Sequence, residues 1–186
     1  LRSQTIHDAA KRGDIQALQR FLDRGVNVDA THTATGSTPL MYAVRSKQFA
    51  VAKFLLEHKA VVDRFDRTGL SALLLTSQLG SSEMLAQLLD CGADINQRGK
   101  FSGETALMKA AERNRVDCVK LLLARKADTI IATKRSHTAL HIARERKHLE
   151  IESLLQFAAT AAPPPAPPAP APRATTQQTS ESEART

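Results

Sequence analysis

The side chains best suited to metal binding or catalysis in this 186-residue sequence are six histidines and two cysteines. His137 and His141 lie four residues apart, a spacing that can hold a metal ion when both residues are on one helix. Thr138 is the predicted start of that helix, so His137 belongs to the preceding turn. We therefore interpret the histidines as structural, and we expect neither a metal site nor a cofactor.

Motifs of well-known enzyme classes are missing from the sequence. It contains no HExxH, no glycine-rich phosphate loop and no CxxC. A Ser/His/Asp or Cys/His active site would have to be assembled from unrelated turn residues. We therefore expect a protein that is not an enzyme.

The elements that would position these side chains repeat with a period of 33 to 34 residues. Five similar segments each begin near a hydrophobic anchor, and the anchors are Ile6, Leu40, Leu73, Leu107 and Leu140. A fixed period of this length indicates a solenoid, in which each unit packs only on its neighbours.

Each unit is predicted to form two short helices separated by a break. The first helix follows a hydroxyl residue that can cap it, as at Thr38, and Pro39 suits the first helical position. The breaks between the helices fall at Gly13, Lys47, Gly80, Asn114 and Lys147. The second helices are closed, where a left-handed backbone is expected, by Gly25, Lys59, Gly92 and Lys126. Because the two lysines lack the freedom of glycine, we predict less regular helix ends there.

Several segments resemble the ankyrin repeat. The matching motifs are TPL at 38–40, LLDCGADIN at 88–96, TAL at 105–107, LLLARKAD at 121–128 and TALH at 138–141. The resemblance covers residues 2–157 and implies an all-α ankyrin-repeat solenoid of stacked helix-turn-helix units with protruding β-turn loops. Ser71 departs from the pattern by replacing threonine, and Thr76-Ser77 replaces an alanine pair.

This resemblance divides the chain into a repeat domain at 1–159 and a tail at 160–186. The five repeats are expected at approximately 2–33, 34–66, 67–100, 101–133 and 134–159. Polar residues in the first and last repeats predict capping units, and a monomer is the expected state. The family uses a histidine in its TPLH motif to tie adjacent turns together, which implies this role for His7 and His141.

The two cysteines are predicted to be too far apart for a disulfide. The repeat register places Cys118 level with Met84, seven residues before Cys91. Seven helical residues correspond to an axial offset of about 10 Å, which no disulfide spans without distortion. We expect two free, mostly buried thiols.

Asn96 is a candidate modification site. Leu88, Asp94, Ile95 and Asn96 resemble the consensus that asparaginyl hydroxylases accept in ankyrin repeats. The alternative is that Asn96 satisfies backbone groups of its turn. We favour this structural role, because the fold itself demands the same residues.

The tail differs from the repeats in composition. All but one of the eight prolines lie between Pro163 and Pro172, and residues 173–186 contain no Val, Ile, Leu or aromatic side chain. Such a segment cannot bury a core, so 160–186 is predicted to be a disordered Pro/Ala-rich and then polar tail, in part polyproline II. It contains PxxP spacings, for example Pro164 to Pro167, that could dock on an aromatic groove.

Positive charge is concentrated in the last two repeats. Residues 98–162 hold 13 Lys and Arg against 7 Asp and Glu, whereas residues 1–97 hold 11 against 10. Ankyrin repeats vary at the turn tips and on the groove side of the first helices, and Arg and aromatic residues dominate many binding surfaces. The resulting candidate partner-binding residues are Tyr42, Arg45, Phe65, Arg67, Leu70, Leu75, Phe101, Glu104, Lys109, Arg113, Lys134, Arg135, His137 and Arg146.

Together these features favour a non-catalytic module that binds another protein, with an acidic or mixed polar surface, on a concave face. It would act as an adaptor, a scaffold or an inhibitor. One alternative is binding of nucleic acid or another polyanion by the basic repeats, which we do not favour because no aromatic platform is visible. Another is docking through the PxxP tail. No apolar run is long enough for a membrane span, and free thiols are compatible with the cytoplasm or the periplasm.

Overall fold

The computed structural model describes residues 5–161, which form ten α-helices and no β-strand. The helices are α1 (Ile6–Arg12), α2 (Ile15–Asp23), α3 (Pro39–Arg45), α4 (Phe49–Glu57), α5 (Ala72–Leu79), α6 (Ser82–Asp90), α7 (Ala106–Glu112), α8 (Val116–Ala124), α9 (Ala139–Glu145) and α10 (Leu149–Ala161). None of these helices is long and apolar enough to cross a membrane.

The helices form five pairs that stack in sequence order. Each odd-numbered helix packs on the even-numbered helix that follows it and on the next odd-numbered helix. The even-numbered helices form a second, looser layer from α4 to α10. This arrangement confirms the predicted all-α solenoid.

Small side chains allow the odd-numbered helices to approach closely. Ala9, Ala43, Ala110 and Ala143 are completely buried. In α5 the alanine pair is replaced by Thr76 and Ser77, which are also buried. Their hydroxyls donate to the carbonyls of Ala72 and Leu73, at 2.8 and 3.0 Å, so each buried polar group has a partner. The replacement therefore leaves the packing intact.

Hydroxyl residues begin most of the odd-numbered helices, as predicted. The Oγ1 atoms of Thr38, Thr105 and Thr138 accept hydrogen bonds from the first turns of α3, α7 and α9. Ser71 precedes α5 but makes no such bond, and its Oγ is buried without a hydrogen-bond partner. Helix α5 therefore begins without a side-chain cap.

The predicted left-handed positions are confirmed. The breaks inside the pairs have φ between +55° and +88° at Gly13, Lys47, Gly80, Asn114 and Lys147. The prediction of less regular ends at Lys59 and Lys126 is wrong. Both adopt φ near +60°, and their amides donate to Leu56 and Leu123 at 3.0 Å, much as the amide of Gly25 donates to Leu22 at 2.9 Å. The repeat imposes the glycine geometry on the lysines, which absorb the backbone strain.

Loops between the pairs end in tips that are joined by backbone hydrogen bonds. The amide of Arg67 donates to Thr35 at 2.9 Å, and that of Lys100 donates to Gly69 at 3.0 Å. The amide of Lys134 approaches the carbonyl of Ser102 at 3.5 Å. The tips of neighbouring pairs therefore lie side by side.

Helix α10 is longer than the other even-numbered helices and continues to Ala161. It passes the predicted end of the repeat domain at residue 159 by two residues. The rest of the predicted tail, including its PxxP spacings, lies outside the described residues.

The prediction of two mostly buried thiols is half wrong. Cys118 is completely buried in α8, but Cys91 is exposed. Cys91 is the C-cap residue that follows α6, and its neighbours Asp90 and Gly92 are exposed as well. Both thiols are free.

Candidate partner-binding site

Short hydrogen-bonded turns position the side chains at the tips. Asp66 is buried, and its Oδ1 accepts hydrogen bonds from the amides of Thr68 and Leu70 at 2.9 and 3.1 Å. In the last tip, Thr133 Oγ1 accepts from the amides of Arg135 and His137 at 3.3 and 3.2 Å. One side chain thus organises each of these turns and directs the others outward.

A cavity of about 620 Å³ lies between the last two tips and the odd-numbered helices behind them. We call it the tip cavity. Its lining residues are Phe101, Ser102, Glu104, Glu112, Thr133, Lys134, Arg135, His137, Ile142, Glu145 and Arg146. Six of the candidate residues from the sequence therefore meet here: Phe101, Glu104, Lys134, Arg135, His137 and Arg146.

A chain of ion pairs runs along the wall of the tip cavity. Lys109 Nζ lies 2.6 Å from Glu104 Oε2 and 3.8 Å from Glu112 Oε2. The second oxygen of Glu112 lies 2.9 Å from Arg146 Nη2, which links α7 to α9. Burial raises the pKa of Glu104, but hydrogen bonds from Lys109 and Ser102 and the Lys109 charge outweigh it, so this pKa lies below its usual value. Glu104 is therefore ionised and neutralised in place.

The rim of the tip cavity combines an aromatic ring with cations. Phe101 is 58% exposed, although its ring covers Gly69 of the preceding tip, where an added Cβ would lie 2.7 Å from Phe101 Cδ2. Lys134 and Arg135 are exposed and form no ion pair within residues 5–161. The ring thus braces a turn and still offers apolar surface beside two unneutralised cations.

His137 and Glu145 lie beside each other on the remaining wall of the tip cavity, and the apolar Ile142 lies near them. Ile142 is 8% exposed. His137 Nδ1 lies 3.8 Å from Glu145 Oε1, and the His137 ring stacks at 6.4 Å on that of His141. His137 precedes Thr138, which caps α9, so it belongs to the turn as predicted.

Other candidate residues lie on the earlier tips, away from the tip cavity. Arg45 pairs with the buried carboxylate of Asp66, and Arg67 Nη1 donates to the carbonyl of Ala34 at 3.2 Å. Tyr42 lies edge-on to His7 and His32, with ring centroids 5.4 and 5.6 Å away. Phe65 is 37% exposed.

Three candidates behave differently from the rest. Leu75 is only 6% exposed, so its placement among exposed groove residues was wrong. The cause is that its position in α5 is turned into the core. Leu70 is half-buried against the same core. Arg113 is exposed at the end of α7 but does not line the tip cavity.

Two of the residues that shape this surface were missed. Asp66 is buried and Thr133 is half-buried, and the side chain of each accepts the hydrogen bonds that shape its turn. Asp and Thr side chains in turns often accept a hydrogen bond from the backbone amide two residues later, as Asp66 does from Thr68. An Asp or Thr in a predicted turn is therefore the sequence signal that would have indicated these two residues.

The histidines and Asn96 have structural roles where the structure defines them. His7 Nε2 lies 2.7 Å from the carbonyl of Ala30 and ties its turn as predicted, whereas His141 is exposed and bonds only to its own cap, Thr138. Asn96 Oδ1 accepts from the amide of Asp128 at 2.9 Å, as Asp29 does from Val61. Within residues 5–161 no group of three metal-ligating side chains is present.

Comparison with known proteins agrees with this architecture. A profile described as ankyrin repeats, in three copies, matches residues 6–99 and 73–161. The chain is 31% identical over 159 residues to ankyrin repeat protein nuc-2 of Neurospora crassa, which covers 82% of this chain and 15% of that protein. It is 30% identical over 157 residues to the ankyrin repeat domain-containing protein SAT10 of Stachybotrys chartarum, covering 84% of this chain and 7% of that protein.

A bacterial relative is similar as well. The chain is 35% identical over 123 residues to a putative ankyrin repeat-containing protein of Treponema pallidum, which covers 66% of this chain and 41% of that protein. The chain thus spans less than half the length of these relatives. The profile match and the repeated helix pairs agree along residues 6–161. The chain belongs to the ankyrin repeat family.

Proposed function

We propose that this protein is a non-catalytic module that binds a partner protein at the tip cavity, as an adaptor, scaffold or inhibitor. Ankyrin repeats generally mediate protein–protein interaction. The partner surface would be acidic or mixed polar and would carry at least one apolar side chain. The monomeric state expected from the sequence is part of the same proposal.

The observation that carries the proposal is the pair of unneutralised cations, Lys134 and Arg135, beside the exposed ring of Phe101. Two adjacent cations repel each other and add nothing to the fold. Acidic side chains of a partner would relieve this repulsion, and an apolar side chain would cover Phe101 and Ile142. Arg and aromatic residues contribute most of the binding energy at many interfaces.

The wall of the tip cavity adds selectivity. Glu104 and Glu112 are already neutralised by Lys109 and Arg146. Within the described part of the chain, the one basic side chain within ion-pair distance of Glu145 is His137, at 3.8 Å. A uniformly acidic surface would therefore meet cations at the rim and a carboxylate inside, so a partner of mixed charge fits better than a polyanion.

The test is capture of the partner from the native host by the protein and by a triple variant, Phe101→Ala, Lys134→Glu and Arg135→Glu. Because the three side chains are mostly exposed, the variant is expected to fold, and its circular dichroism checks that loss of the Phe101 ring over Gly69 leaves the helices intact. A specific partner should be captured by the unmodified chain and lost from the variant. Its association should also slow as ionic strength rises.

A matched control reverses two exposed cations far from the tips, Arg24→Glu and Lys53→Glu. Arg24 directly follows α2, and Lys53 lies on α4. The control should retain the partner, because it changes net charge by the same amount as the two reversals at the tips. Loss of the partner from both variants, or from neither, would contradict binding at the tip cavity.

Polyanion binding is the second candidate, because Arg67, Lys100 and Lys134 occupy matching positions on three successive tips. This row could follow a phosphate backbone. Retention on heparin that persists at about 0.5 M salt would favour it over a protein partner. Elution at lower salt, with partner capture intact, would favour the protein partner.

A further inference from the structure

The N-cap residue, which directly precedes each even-numbered helix, differs between units. These residues are Asp14, Gln48, Ser81, Arg115 and His148. Three of them reach back over the break in the preceding pair. Gln48 covers Gly13, where an added Cβ would lie 2.6 Å from Gln48 Oε1, and Arg115 covers Gly80, where an added Cβ would lie 2.5 Å from Arg115 Cδ.

Two of the three reaching side chains also donate a hydrogen bond. Arg115 Nε donates to the carbonyl of Gln78 at 3.2 Å. His148 Nδ1 lies 2.9 Å from the carbonyl of Ala111. In both cases the acceptor precedes the donor by 37 residues, so the contact occupies the same repeat position in these two units.

Ser81 breaks this pattern because it is too short to reach. Its hydroxyl instead accepts a hydrogen bond from the amide of Met84, at 3.4 Å, and caps its own helix. An open pocket of about 280 Å³ remains beside it, between the breaks at Lys47 and Gly80. We call it the Ser81 pocket, and its apolar lining comes mainly from Val44, Phe49, Leu79 and Met84.

The pocket's position in the repeat indicates which group would fit. The residue 37 positions before Ser81 is Val44, which lines the pocket, so its carbonyl corresponds to the acceptors used by Arg115 and His148. A group that fills the Ser81 pocket in the same way therefore carries one N–H donor. Lys47 also lines the pocket and would repel a cation, so the donor must be neutral.

The volume of the Ser81 pocket further limits which donor group would fit. A pocket of this volume with apolar walls suits an aromatic ring better than a primary amide. An indole combines a large apolar ring with a single neutral N–H donor. None of the 186 residues is a tryptophan, so no side chain of this sequence supplies the indole.

We propose that the Ser81 pocket receives a tryptophan side chain of a partner protein, with its indole N–H donating to the Val44 carbonyl. The tryptophan is assigned to a protein because protein side chains fill the corresponding positions in the neighbouring units. The inference rests on the proposed protein-binding function, but its site is separate. The pocket lies at the far end of the odd-numbered helices, about 10 Å from the tips.

The test uses the three methionines as reporters. All three methionines are buried, but Met84 lines the pocket, whereas Met41 and Met108 lie elsewhere in the core. In protein labelled with ¹³C at the methionine methyl groups, indole and N-acetyl-tryptophanamide should shift only the Met84 signal, which Met84→Leu assigns. For a fragment of this size we expect a dissociation constant on the order of 1 mM.

A probe without the donor tests the hydrogen bond. Benzothiophene has the shape of indole but no N–H, and it should bind at least threefold more weakly. Equal binding of the two probes would overturn the assignment of a donor to Val44. Shifts with indole but none with N-acetyl-tryptophanamide would overturn the assignment to a protein side chain.

A filled pocket provides the matched variant. Ser81→Gln supplies the side chain that Gln48 already carries at this position, so it should fold and should abolish the Met84 shift. Ser82→Gln, one residue further into α6, should bind indole like the unmodified chain. Equal shifts at all three methionines, or no shift at 10 mM probe (about ten times the expected constant), would overturn the proposal.

The outcome is independent of the tip cavity. The triple variant Phe101→Ala, Lys134→Glu and Arg135→Glu should bind indole normally. If the partner-capture test contradicts binding at the tip cavity but the Met84 shift is normal, only the tip cavity is rejected as a binding face. A normal capture without a Met84 shift would reject the Ser81 pocket alone.

Discussion

Individual residues in this protein owe their chemistry to their exact place in the unit. Cys91 and Cys118 both belong to second helices, yet one ends its helix at the surface and the other lies inside it. Burial, with a smaller contribution from Asp117, raises the pKa of the Cys118 thiol to about 11. The same residue type is thus exposed in one unit and buried, with a raised pKa, in the next.

The thiols should therefore react in two stages. In the native protein at pH 8, a disulfide reagent such as DTNB should modify one thiol, Cys91. In denaturant it should modify both. Cys91→Ser should remove the native reaction, and a native Cys118 reaction in that variant would contradict the structure.

His7 should make stability depend on pH. Burial lowers its pKa below the ordinary 6.5, and His32 lowers it further, against the opposing effect of the Ala30 carbonyl. The unfolded chain then binds a proton more readily than the folded one. This contribution to the free energy of unfolding is complete above about pH 7 and is lost as the pH falls below the unfolded value.

The measurement compares urea unfolding at pH 7.5 and pH 5.5. His7→Gln is expected to lose stability at pH 7.5, because the Ala30 contact is disturbed, but to lose less than the unmodified protein on acidification. The other five histidines are common to both chains and cancel in this comparison. An equal loss in both proteins would show that His7 does not titrate as proposed.

At the scale of elements, the turns after the helices are set by the repeat rather than by the local residue. Lys59 and Lys126 adopt the backbone of glycine with the same hydrogen bonds. At Gly25 and Gly92, an added Cβ would meet no atom within 4 Å, so these turns are open to solvent. The lysines therefore have room for their side chains but a strained backbone.

Replacing these lysines by glycine should stabilise the protein. Lys59→Gly and Lys126→Gly are each expected to raise the free energy of unfolding by about 0.5–1 kcal/mol, because removal of left-handed strain exceeds the entropy cost of glycine. Lys53→Gly, in the exposed middle of α4, should lower it by about 1 kcal/mol. Destabilisation by all three in urea titrations would show that the strain is absent.

Neighbouring loops are joined by a ladder of side-chain acceptors. Asp29 accepts from Val61 at 2.9 Å, Asp63 from Asp94 at 3.3 Å, and Asn96 from Asp128 at 2.9 Å. At the next position of the ladder stands Ile130, which is 70% exposed and has no acceptor. The ladder therefore ends before the last pair.

Asn96→Ala should lower the free energy of unfolding by about 1–3 kcal/mol, because the Asp128 amide loses its acceptor. Asn96→Asp keeps an acceptor of the type used at Asp29 and Asp63, and should cost less than about 0.5 kcal/mol. Thermal or urea unfolding of the two variants decides this. Equal costs would mean that the Asn96 contact does not contribute.

At the scale of the whole molecule, the main helix–helix contacts within residues 5–161 lie within pairs or join neighbouring pairs, so stability should propagate along the stack. Tyr42, the only tyrosine in a chain without tryptophan, reports on the second pair. Circular dichroism reports on all helices. Tyr42 fluorescence thus follows the second pair, whereas circular dichroism follows all the helices together.

A core substitution near the other end should separate these signals. Leu122 is completely buried in α8, and Leu122→Ala should cost about 2–5 kcal/mol. In urea, the circular dichroism of this variant should begin to fall before Tyr42 fluorescence changes. Ala52→Gly, in the buried layer of the second pair, should not separate the signals in that order, and coincident curves for Leu122→Ala would show that the stack unfolds as a single unit.

The sequence by itself determined the solenoid. Its period, the hydroxyl residue before each odd-numbered helix and the left-handed break inside each pair are local patterns that recur in every unit, so they could be recognised in one chain. The same patterns identified six residues of the tip cavity, because exposed positions carry no packing requirement. The profile match supports the family on the same residues.

Only the tertiary structure decided how the units differ. The burial of Leu75, the exposure of Cys91, the neutralisation of Glu104 and the space beside Ser81 each depend on side chains that meet in three dimensions. For Ser81 the decisive neighbours belong to the preceding unit, about one repeat away in sequence. Whether a side chain fills such a gap depends on its length and on the atoms it meets, and neither follows from the repeat pattern alone.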